Sequence, residues 1–154
     1  MEYGSIEREL HVDASPEVVF EVLTSPEYIK DWWSAETDTE MEAGTSSRFT
    51  WTDANTGRED SAPFTVMESD PPRTFSFRWT YDEGVVPAPG NSLLVTFELL
   101  PTGEGTTVRF KETGYRELGW EVAKLEAEYN DHRQGWDFYL PRAAALAAQL
   151  ASAR

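Results

Sequence analysis

Three charged residues occupy positions where an alternating strand pattern places apolar ones. Arg8 lies between Ile6 and Leu10, Glu68 follows Phe64 and Val66, and Glu112 follows Val108 and Phe110. Side chains along a strand point to opposite faces in turn, so each charge shares the parity of an apolar set. A charge taken into an apolar interior needs a partner. The pattern therefore leaves two outcomes. Either these groups reach the concave face of a sheet, with Arg8 and Glu112 on neighbouring first and last strands, or a strand end or bulge delivers them to solvent. On the concave face they would orient the polar end of a ligand, or transfer a proton with a shifted pKa. Tyr139 joins Glu68 and Glu112 as an acid–base candidate.

Other chemistries are narrowed by what the chain lacks. It has no cysteine, which removes disulfides, thiolate metal sites and cysteine nucleophiles. His11 and His132 fall on different elements and read as surface or structural histidines. No metal site is expected, because one needs three or four converging ligands. Neither a Gly-x-Ser-x-Gly elbow nor a glycine-rich phosphate loop occurs, so no catalytic constellation is visible and no cofactor is implied.

With 28 acidic residues against 13 basic, the formal net charge is −15. A chain so acidic has no patch to neutralise phosphates, which argues against nucleic acid and anionic membrane surfaces. Most of the carboxylates read as a solvated surface. The first residues lack the basic and apolar regions of a secretion leader, and no apolar run has membrane-spanning length. A cytoplasmic protein without membrane insertion is the expectation.

The aromatic residues carry the stronger signal: six Trp, six Tyr and eight Phe. Trp33, Phe49, Trp51, Phe64, Phe75, Phe77, Trp79 and Phe110 converge on the inner face of a sheet or its mouth. Opposite them, Trp136, Leu140, Ala143, Ala147 and Leu150 form a helical stripe, with Tyr139 beside it. Alanines stand where a sealed core would carry Leu or Ile, so the helix either seats close to the sheet or leaves a void. Gly135 and Pro141 fall inside that helix, at costs of about 1 and about 3 kcal/mol relative to Ala.

The elements that must position these residues follow from periodicity. "IERELHV" (6–12) alternates as a strand, and "SPEVVF" starts a helix with Ser15 as N-cap and Pro16 at its first position. "PEYIKDWW" (26–33) is a second short helix. Strand patterns follow over 46–52, 62–69 and 74–81, then a loop over 82–91. Residues 92–100 and 106–114 flank "PTGEG" as a hairpin. The last ~35 residues are helical in pattern, with a lead segment and a cap near Asn130 or Asp131. One strand, two short helices, a run of strands and a long helix make an α+β layer architecture in a single domain, 1–154.

The stretches "HVDASPEVVFEVLTSPEYIKDWW", "ESDPPRTFSFRW", "GEGTTVRFKETG" and "HRQGWDFYLPRAAALAAQL", in this order, resemble the START-like (SRPBCC) superfamily. Within it they are most similar to the branch of homologues of the activator of the heat-shock-protein-90 ATPase. The resemblance implies a helix-grip fold: a curved antiparallel sheet of six or seven strands around the C-terminal helix, with a cavity between. Members bind lipids, polyketides, hormones and other apolar ligands, and some catalyse cyclisation or dehydration. The expectation is a small, largely apolar or aromatic ligand held between sheet and helix by the aromatic set with Glu112, Trp136, Tyr139, Leu140 and Ala143. A polyketide cyclase- or dehydratase-like enzyme and a co-chaperone-like interaction module, its acidic surface meeting a basic partner protein, are the alternatives.

Overall fold

The computed structural model describes residues 3–154. Met1 and Glu2, at the head of the segment inspected for a leader, lie outside the described residues. Six strands form one antiparallel sheet: β1 (Ser5–Val12), β2 (Ser46–Thr52), β3 (Glu59–Asp70), β4 (Thr74–Trp79), β5 (Leu93–Thr102) and β6 (Gly105–Thr113). Their spatial order is β1-β6-β5-β4-β3-β2, so the first strand closes against the last. Two short helices, α1 (Pro16–Thr24) and α2 (Pro26–Trp33), follow β1, and α3 (Val122–Ala153) ends the chain. This is the α+β helix-grip arrangement, at the lower of the expected strand numbers.

Local chemistry sets the boundaries. The Ser15 side chain accepts a hydrogen bond from the Val18 amide, with Pro16 at the start of α1. Such a cap satisfies one of the orphan N–H groups of the first turn. The β5–β6 connection contains only Gly103 and Glu104, because Thr102 already pairs with Gly105.

The long helix corrects one expectation. No cap interrupts it at Asn130 or Asp131; its N-cap is Glu121, and it runs 32 residues through Gly135 and Pro141. Residues 122–129 hold no Gly or Pro and are mostly good helix formers. Extending a helix through them costs less than ending one and nucleating another. Among the described residues, no helix is long and apolar enough to cross a membrane.

Pairing register places the inner face. Ile6 lies opposite Glu112, Leu10 opposite Val108 and Val12 opposite Thr106. Phe97 lies opposite Phe110 and Val95 opposite Glu112, while Phe75 and Phe77 oppose Phe97 and Val95. Onto this face α3 lays His132, Trp136, Leu140, Ala143 and Ala147, all buried. The space between Leu140, Ala143, Ala144 and the strands is only about 10 Å³, far too little for an organic ligand. Of the two outcomes left open for the alanines, the structure adopts close packing: small side chains let α3 seat on the sheet.

Candidate functional site

Glu112 is fully buried at the inner face of β6, and four side chains donate to its carboxylate. Trp79 Nε1 donates to Oε2 at 2.8 Å and Trp136 Nε1 to Oε1 at 3.0 Å. His132 Nδ1 lies 3.0 and 3.2 Å from the two oxygens, and the Tyr115 hydroxyl donates to Oε1. An ionised carboxylate offers roughly four acceptor positions, so this one is saturated. Being acceptor-only, it requires the imidazole proton to sit on Nδ1.

Each donor arrives by a definable route. Trp79 is the last residue of β4, on the inner parity. Trp136 and His132 are one helical turn apart on α3, so they share a face. Tyr115 follows Gly114, whose φ is +108° and where a Cβ would lie 2.9 Å from the Ser92 carbonyl oxygen. Only glycine allows the chain to fold back there, which brings Tyr115 onto the carboxylate three residues before it.

Electrostatics follow from burial and charge. Burial opposes charge on His132, which is 5% exposed. The Glu112 carboxylate, by attraction and hydrogen bonding, outweighs that penalty, with Glu128 and Asp131 assisting, so the pKa is raised. Burial, then Glu112, also raises the Tyr115 pKa, keeping the phenol protonated. This cluster is a buried carboxylate against an imidazole that favours its charged form.

Beside the cluster a cleft of about 420 Å³ opens between the sheet end and α3. Trp33, Trp51, Trp79, Trp136 and Tyr139 line it, joined by Tyr81, Phe138, His132 and Asp131. Trp33 is the hub of the wall: its ring lies 4.7–5.4 Å from those of Phe49, Trp51, Trp79 and Trp136. The Trp51 indole N–H donates to the Trp33 carbonyl at 3.1 Å, which fixes the outer wall to α2. Gly135 also lines the cleft.

The residues singled out from the sequence therefore divide by location. Trp33, Trp51, Trp79, Trp136 and Tyr139 line the cleft. Phe49, Phe64, Phe75, Phe77, Phe110, Leu140 and Ala143 lie in the buried core behind it, and Glu112 joins the two regions. Arg8 and Glu112 do sit on adjacent strands, but the Arg8 guanidinium turns to Asp137 on α3, with contacts of 2.7 and 3.2 Å. Glu68 is on the other face and exposed. A bulge between Val66 and Glu68 shifts the register, so Glu68 lies opposite Ser76 and Ser69 takes the inner position opposite Phe75.

Of the surface and structural roles left open for the histidines, His132 takes the buried, structural one, although it is not among the site residues expected from the sequence. Extending the stripe from Trp136 back by four residues reaches it directly. Tyr115 had no periodic signal, because it lies beyond the end of β6. Tyr81 shares the alternation of the 74–81 strand pattern, but β4 ends at Trp79 and leaves it exposed beyond the strand. Among the described residues no group of three or more His, Asp or Glu side chains is arranged to hold a metal ion.

Gly135 carries a separate prediction. A Cβ built there meets nothing within 4 Å. Gly135→Ala is expected to raise the unfolding free energy by about 0.5–1 kcal/mol through helix propensity alone. A urea titration showing equal or lower stability would mean that the helix requires glycine at this point.

Comparison with known proteins supports the same architecture. Residues 13–148 match the family described as activator of Hsp90 ATPase homolog 1-like protein. Protein MLL2253 from Mesorhizobium loti superimposes with a TM-score of 0.72 at 23% identity, covering 94% of this chain and 97% of that one. A protein from Arthrobacter aurescens, solved by NMR, gives 0.78 at 18% identity, over 96% and 88%. DynU16, from the dynemicin biosynthetic locus, gives 0.69 at 23% identity over 92% of this chain but only 46% of its own. At these identities the likeness is one of fold. Among curated proteins, none matches the chain by sequence.

Proposed function

This chain belongs to the family of activator of Hsp90 ATPase homolog 1-like proteins, and from that premise we propose that it binds a small, largely aromatic molecule in the tryptophan-lined cleft. The observation that carries the reading is the cleft itself. Its volume of about 420 Å³ falls in the usual range for small-molecule sites, which are mostly apolar with a few convergent polar groups. The accessible ring surface of the cleft comes from Trp51, Tyr81 and Phe138, with Trp33, Trp79 and Trp136 buried behind them, and offset or edge-on ring contacts favour an aromatic guest. The ligand site lies at the mouth of the grip, since the interior between α3 and the sheet is packed.

Binding is favoured over acid–base catalysis by the state of the candidate groups. Glu68 is on the opposite face, and the Glu112 oxygens are already engaged by four donors. Neither is placed to take a proton from a molecule in the cleft. Tyr139 does line it.

Naphthalene is a suitable probe, followed by quenching of the intrinsic tryptophan emission. Saturable quenching is expected in the wild type. Trp51 is only partly buried, so Trp51→Ala leaves the fold in place and weakens binding by about tenfold, the worth of one aromatic contact. Unsaturable quenching, or unchanged affinity in Trp51→Ala, would remove the cleft from consideration as a ligand site.

A further inference from the structure

We infer that His132 Nε2 is the polar anchor of the cleft, donating a hydrogen bond to an uncharged acceptor, a carbonyl oxygen carried on a flat aromatic body. The assignment depends on the cleft being a ligand site and specifies what that site selects.

Three buried side-chain atoms among the described residues have no hydrogen-bond partner: Thr37 Oγ1, Arg78 Nε and His132 Nε2. Of these residues only His132 contributes to the wall of the cleft. Its other nitrogen is tied to Glu112, which fixes both the ring orientation and the proton position. Nε2 is thus a pre-oriented group at the opposite edge of the ring, with Glu128 Oε2 at 3.8 Å too far for a hydrogen bond, and a buried polar atom without one is costly. The His132 ring also borders a smaller recess of about 50 Å³ beside Trp79, Leu118, Trp120 and Glu128, so the residue lies between two hollows.

A ligand must move one neighbour to reach Nε2. Trp79 and Tyr115, which pack on the imidazole, are buried and tied to Glu112. Tyr81 packs edge-on to the ring at 5.8 Å but is 48% exposed and lies beyond the end of β4. Tyr81 is the neighbour that can swing aside.

The surroundings decide the chemical class of the acceptor. Glu128 Oε2 lies 3.8 Å from Nε2, and Asp131 lines the cleft. Glu59, Asp60 and Glu83 line the adjoining surface hollow that shares Trp51, Tyr81 and Asp131 with it. Arg48 pairs with Glu83 and Arg58 with Asp60, so the repulsion a carboxylate or phosphate would meet comes chiefly from Glu128 and Asp131, whereas a ketone or amide oxygen is not repelled. The groups facing the imidazole are Glu112 from β6, Tyr115 from the segment after it, Tyr81 from beyond β4, and Glu128 and Asp131 from α3. With the ring charged, Nε2 carries a proton and donates. Once the ring is neutral the proton stays on Nδ1, and Nε2 becomes an acceptor.

The test titrates naphthalene, 2-acetylnaphthalene and 2-naphthoate against the wild type and His132→Phe at pH 6. The ketone is expected to bind about tenfold tighter than naphthalene in the wild type, the worth of one hydrogen bond from a charged donor. The naphthoate is expected to bind more weakly than the ketone. In His132→Phe the preference for ketone over naphthalene falls to near unity. If that variant does not fold, the wild-type ratio decides, together with the imidazole ¹⁵N resonance, which must shift with the ketone and not with naphthalene. Equal binding of ketone and naphthalene, a preference for the naphthoate, or a ratio retained in His132→Phe would overturn the anchor while leaving the ligand site standing. If none of the three binds, the ligand site and its anchor fall together.

Discussion

Glu112→Ala is expected to destabilise the fold by about 3–5 kcal/mol, the range for removing one partner of a buried ion pair. For a chain of this size that corresponds to a melting temperature lower by roughly 10 °C. The loss arises from what the carboxylate leaves behind. Two indole N–H groups, a phenol and an imidazole all donate to it, and every one of these hydrogen bonds is buried. Glu112→Gln keeps the shape but turns an amide N–H₂ toward other donors, so it recovers only part of the loss.

The same substitution alters the pH dependence. Because the folded state raises the His132 pKa, it binds more protons than the unfolded state near neutrality. The stabilisation is fully present below the unfolded histidine value of about 6.5 and is lost as pH rises through the higher folded value. Urea melts from pH 6 upward should show wild-type stability declining over that window, and a flatter profile in Glu112→Ala. A variant within 1 kcal/mol of the wild type would mean that water replaces the carboxylate, and that the cluster is less closed than its burial indicates.

The second large effect is at Trp33. Trp33→Ala is expected to cost about 3–5 kcal/mol, as for other buried Trp or Phe truncations, and to abolish naphthalene binding. Trp33 stacks on Trp32 with rings 5.4 Å apart and 4° from parallel. Its other neighbours come from β2, β4 and α3. Removing it withdraws the common surface against which Phe49, Trp51, Trp79 and Trp136 are arranged. Near-UV circular dichroism, which reports fixed indole packing, should lose most of its intensity even where far-UV spectra persist. Retained near-UV signal and retained binding would show that Trp32 moves into the space.

Much of this was legible in the sequence, for reasons that vary by element. The strands with strict alternation, such as Phe75, Phe77 and Trp79, declared their inner faces because parity is a local property. For Glu112 the same rule leaves the inner face and solvent both open, and the structure takes the inner face. For Glu68 the structure takes the other outcome: one bulged residue inverts everything after it, and "FTVMES" contains no Gly or Pro to announce the slip. His132 is within reach of the helical period, and the sequence leaves surface and structural roles both open for it. Its role depends on Glu112, Trp79 and Tyr115, which come from three other places in the chain. The cleft itself was not legible. Whether Ala143 and Ala147 create a void or close one depends on how near α3 approaches, and that distance is set by the whole sheet.

The saturation of Glu112 also bears on the order in which the chain assembles. Its donors lie at residues 79, 115, 132 and 136, so three of the four follow it in the sequence. While the chain is being synthesised, a sheet formed through β6 would present this carboxylate on a bare apolar surface until α3 emerges and docks. Transiently exposed apolar surface and strand edges are what make partly folded sheets associate. A charge in the middle of that surface keeps it hydrated and resists stacking against a second copy. The residue that anchors the finished interior therefore also guards the unfinished one.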